Sequence, residues 1–127
     1  MKKSIFFIVF LLIGCVYHFD YQYKNTRDFW VKNGVKVTDI DYIYCDKYAE
    51  KKLSNTESIL YKNWQKISDG AISDHEMTSY STVLKKLRLQ RSNCLYSLGY
   101  KFKPDFFWCT LSSYEKKVCN ENEKYEN

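Results

Sequence analysis

The sequence predicts an all-α fold: a small, disulfide-stapled helical hairpin or bundle of three to four helices, closed by an irregular aromatic C-terminal segment. Three observations predict it. Four Gly and one Pro are too few for the turns of a β-sandwich. Ser54 with Glu57, Ser73 with Glu76, and Ser112 with Glu115 stand at capping-box spacing, and each opens a segment free of Gly and Pro. Behind Ser73, apolar residues recur at intervals of three and four as far as Leu98, the period of an amphipathic helix. A hydrophobic content of 45% supports a folded chain over a disordered one.

The elements follow in order. Asn25 to Val37 holds the aromatic stretch Phe29-Trp30-Val31, and Asn33-Gly34 is a turn signal. Thr38 suits an N-cap, with Asp39 and Asp41 at the positive end of the helix it opens. That helix runs to about Leu53 and places Ile40, Tyr44 and Tyr48 on one face with Cys45 beside it. A second helix starts at the Ser54 cap, carries Ile59, Leu60, Trp64 and Ile67, and stops at Asp69-Gly70.

Ser73-Asp74-His75-Glu76 opens the strongest element of all. Met77, Tyr80, Leu84, Leu87, Arg91, Cys94 and Leu98 form its seam, joined by Val83 and Leu95. Gly99 stands where a left-handed C-terminal cap is needed. Residues 74–98 then make a helix of about 37 Å. Pro104 keeps Lys103 out of the helical region, so Tyr100 to Pro104 reads as an extended exit. Phe106, Phe107 and Trp108 are expected to fold back as a lid on the core, because three adjacent exposed aromatics invite aggregation. Their alternative is a displayed aromatic patch. A short helix from Ser112 to about Cys119 follows, and residues 120–127 read as a polar, frayed tail.

The first fifteen residues carry a different message. Lys2 and Lys3 precede the unbroken apolar run Ile5 to Ile13, which is too short for the roughly 20 residues of a membrane span. Leu12-Ile13-Gly14-Cys15 closes it and resembles the lipobox of bacterial lipoproteins. The resemblance implies a cleaved signal peptide over residues 1–14, a diacylglyceryl thioether on Cys15 and acylation of its new amino group. Residues 15–36 then hold the lipidated cysteine, a tether and the aromatic turn, and 37–119 the helical domain. It also implies a cell-envelope location, lipid-anchored and facing the periplasm or the cell surface. No Asp follows Cys15 directly, which favours the outer membrane over the inner.

With Cys15 assigned to lipid, Cys45, Cys94, Cys109 and Cys119 form an even set, which in an oxidising compartment reads as two disulfides with three possible connectivities. Two antiparallel helices bring Cys45 to Cys94, leaving Cys109 and Cys119 to close locally. This pairing is preferred, and the other two stay open.

A second, softer resemblance covers about half the chain. Trp30-Val31-Lys32-Asn33-Gly34 before a helix with Cys45, then Cys94 through Gly99-Tyr100, is similar to a recurring type of small bacterial lipoprotein. The type implies a disulfide-linked helical hairpin of unassigned function.

Charge narrows the partners. The formal net charge of +5 falls by two when Lys2 and Lys3 leave with the signal. Lys85, Lys86, Arg88 and Arg91 form a basic stretch that would suit a phosphate backbone, but an exported protein meets little nucleic acid, and a solvated helix face is expected instead. The aromatic content of 18%, with twelve Tyr, is read mainly as half-buried packing. No C-x-x-C motif occurs, and His18 and His75 stand apart, so neither metal nor cofactor is expected. Asp74-His75-Glu76 is the only acid–histidine cluster, and capping explains it. No G-x-S-x-G, H-E-x-x-H or phosphate-loop motif is present. The expectation is a non-enzymatic envelope lipoprotein that touches membrane lipid through Cys15 and a protein partner through its domain. An immunity protein or inhibitor against an envelope-acting toxin or wall hydrolase is the alternative.

Overall fold

The structure, a computed structural model, describes residues 25–67 and 73–127. The signal sequence, the Cys15 lipid site, the tether to Lys24 and the Asp69-Gly70 helix stop lie outside the described residues. What is described is mostly helical, as the sequence predicts.

A short 3-10 turn, Thr26–Phe29, leads into strand β1, Trp30–Lys32, and strand β2, Val35–Lys36. Asn33 and Gly34 take φ of 52° and 77°, the paired positive values of a two-residue hairpin turn. The hairpin pairs Val31 with Lys36 and Lys32 with Val35. Helix α1 is Asp39–Lys51, and Thr38 Oγ1 accepts from the Asp41 amide at 3.1 Å. Helix α2, Asn55–Ile67, opens on a complete capping box. The Ser54 amide donates to Glu57 at 2.7 Å, and the Glu57 amide to Ser54 at 3.2 Å.

Helix α3, Asp74–Ser97, begins with the same device at Ser73 and Glu76. It ends at Gly99, where φ is 90° and the Tyr100 amide reaches back to the Leu95 carbonyl at 3.1 Å. Strand β3, Lys101–Phe102, then returns antiparallel to β1, giving a three-stranded ribbon in the order β2-β1-β3. After a 3-10 turn at Trp108–Thr110 comes helix α4, Ser113–Asn122, and a final 3-10 turn, Glu123–Tyr125.

Two apolar clusters hold these parts. In the smaller, Ala49 of α1 meets Val83 and Leu87 of α3, with Leu60 and Tyr61 of α2 packed against them. The larger is aromatic. Trp108 packs on Phe29 at 4.7 Å between centroids, Phe29 on Phe102, Phe102 on Trp30, and Trp30 on Tyr125 at 5.8 Å. Each step is within the range where aromatic pairs attract beyond simple area burial.

Four expectations change. The extended exit and the aromatic turn are strands of one ribbon, because β1 has paired neighbours on both edges. The 120–127 tail is not frayed: Tyr125 and Asn122 are buried, the Tyr125 hydroxyl bonds to Asn93, and Lys101 and Lys103 donate to the backbone carbonyls of Asn127 and Glu126. The domain therefore reaches beyond 37–119 on both sides. On α1 the buried positions are Cys45 and Ala49, while Ile40 and Tyr44 face solvent. The disulfide and the methyl group let α1 and α3 approach closely, and the bulkier residues are rotated outward. Finally, the aromatic lid is Trp108 alone; Phe106 and Phe107 are exposed.

Candidate functional site

The four described cysteines form two disulfides. Cys45 of α1 bonds to Cys94 of α3 with a Cα separation of 5.5 Å, and Cys109 bonds to Cys119 across 5.8 Å. Both distances suit unforced disulfides. The preferred connectivity is the one the structure holds.

The basic stretch of α3 is a set of clasps. Lys86 pairs with Glu57 of α2 at 2.7 Å. Arg88 grips both oxygens of Glu121 on α4 at 3.2 and 3.3 Å. Arg91, the one charge in the apolar seam, pairs with Asp46 of α1 and donates to the Tyr42 hydroxyl at 2.8 Å. Its guanidinium also lies 5.1 Å from the Tyr42 ring centroid. One helix thus reaches three others through three cations. Of the four only Lys85 is exposed, so the stretch is not the solvated face expected but is largely taken up by contacts between helices.

His75 sits exposed in the first turn of α3, between two residues of the cap. The Glu76 carboxyl is held below its ordinary value, first by the Ser73 hydroxyl and then by the Ser73 amide. These are the interactions of the capping box that opens α3. Among the described residues, no group of His, Cys, Asp and Glu is placed to hold a metal ion. None of their helices is long and apolar enough to cross a membrane.

Among the described residues, two groups of exposed apolar side chains stand out. Ile40, Ile43 and Tyr44 are 81%, 52% and 58% exposed on one face of α1, and Val35 is exposed on the preceding edge strand. Phe106 and Phe107, 77% and 68% exposed, pack edge to face on each other at 5.9 Å. Sequence periodicity puts Ile40, Tyr44 and Tyr48 on one face with Cys45 beside it; the buried side is marked by the Cys45/Ala49 pair, four apart, where a partner helix comes close. A third feature is a cleft of about 420 Å³ between the end of α1 and the start of α2, with Lys47, Lys51 and Lys62 among its lining residues.

Comparison of the chain with protein-family models, with curated proteins and with solved structures finds no match.

Proposed function

We propose that this chain is a bacterial envelope lipoprotein, anchored through acyl chains on Cys15, whose small helical domain acts by protein contact and not by catalysis. One observation carries the contact reading: α1 turns its small residues inward and leaves Ile40, Ile43 and Tyr44 in water. Large apolar side chains gathered on one face lower their free energy when a partner covers them.

The anchoring reading draws on Leu12-Ile13-Gly14-Cys15 and on the two disulfides, which belong to an oxidising compartment. Two or more acyl chains give lasting attachment where one gives only marginal binding. The domain then faces the periplasm, from the outer membrane ahead of the inner, or stands at the cell surface. Metabolic labelling with an alkyne palmitate analogue tests this. Wild-type protein takes up the label, Cys15→Ser does not, and globomycin accumulates the longer precursor. Equal labelling of both proteins, or of neither, contradicts the proposal.

A further inference from the structure

We propose that the cleft between α1 and α2 binds a phosphate ester whose alcohol part carries hydroxyl or ammonium groups. Lys47 and Lys51 stand four apart on α1 and share a face, while Lys62 reaches the same cleft from α2. Elsewhere several cations are paired: Lys36 with Asp28, Lys86 with Glu57, Arg88 with Glu121 and Arg91 with Asp46. Among the described residues, none of the three cleft lysines stands in an ion pair. Lys47 and Lys51 suit the negative end of α1. Lys62, in the middle of α2, has no such reason to be there.

Three ammonium groups brought to one concave site repel each other, and a bound anion removes that repulsion. Lysine supplies point charges for a phosphate, and the hydroxyls of Ser58 and Tyr61 add donors. Among the described lining residues, Glu50 is the one carboxylate. It opposes a bare anion but accepts from a hydroxyl or ammonium on the same ligand, which sets the second half of the proposed chemistry. Leu53 and the Tyr61 ring, both half-buried, give the carbon skeleton an apolar wall. The volume falls in the roughly 300–1,000 Å³ range of small-molecule sites. Nothing in this site depends on lipidation of Cys15.

Calorimetric titration of the full chain in neutral detergent tests it with sn-glycerol 3-phosphate, monomeric dihexanoylphosphatidylglycerol, and glycerol as the neutral control. The variant Lys47→Gln/Lys51→Gln/Lys62→Gln is compared with Lys85→Gln/Lys116→Gln/Lys117→Gln, which removes the same charge from exposed positions elsewhere. At least one phosphate probe is expected to saturate a single site that glycerol does not fill. The cleft variant weakens it about tenfold or more, and the control about twofold at most. Binding of the monoester assigns the site to a soluble ester, and binding of the diester alone assigns it to a lipid headgroup. Failure of both probes to saturate, equal weakening in the two variants, or no weakening in the cleft variant overturns the proposal.

Discussion

Arg91 stands in the apolar seam of α3, where Asp46 and Tyr42 meet its guanidinium at the helix contact. Such a cation fixes register: a slide of α1 along α3 would leave a half-buried charge unpaired. The same logic holds at Lys86 and Glu57. Lys86 is the first cause, and the Ser54 amide the second, that hold the Glu57 carboxyl below its ordinary value of 4.5. A carboxyl lowered in the folded state adds stability that is fully present above its unfolded value and is lost as pH falls through the folded one. Melting temperature is therefore expected to fall as pH drops below 4.5. Glu57→Gln should melt lower at neutral pH and lose less on acidification. Parallel profiles from pH 7 to 3 for the two proteins would show that the pair contributes nothing.

At the scale of elements, the α1–α3 hairpin is the frame. The Cys45–Cys94 bond closes 49 positions of chain. In the chain-entropy model a loop of that length is worth about 4 kcal/mol, against somewhat under 3 for a ten-residue loop. Cys45→Ala/Cys94→Ala should lower the melting temperature by about 15 °C or more, and Cys109→Ala/Cys119→Ala by less. Equal losses in the two variants, measured by circular dichroism, would refute the ranking.

Much of this frame was legible. Caps at Thr38, Ser54, Ser73 and Ser112 are local chemistry, and all four fall where the sequence places them. The ribbon was not legible, because β3 pairs with β1 from some 70 positions away and neither strand is long enough to show a period. Which face of α1 turns outward was not legible for a related reason. Periodicity finds a stripe of large apolar residues, but close helix approach selects small ones. The cleft lysines were also missed, since only folding brings Lys62 to Lys47 and Lys51.

Among the described residues, a ribbon and an aromatic chain form the larger core, and ion pairs tie the helices to one another. Tyr125 belongs to that chain although its neighbours in sequence are polar, which is why the tail packs against Trp30 and Tyr96. Ile40, Ile43 and Tyr44 stay largely in water beside this core, and that exposed face is what supports the proposal of a protein that acts by contact.

The most direct test is site-specific photocrosslinking in intact cells, with p-benzoylphenylalanine replacing Tyr44 and, separately, Tyr114, which is also exposed but lies on α4. Position 44 should yield a discrete protein adduct that disappears with Ile43→Asp, and position 114 should not yield it. No adduct at position 44, or the same adduct from both positions, would contradict the account.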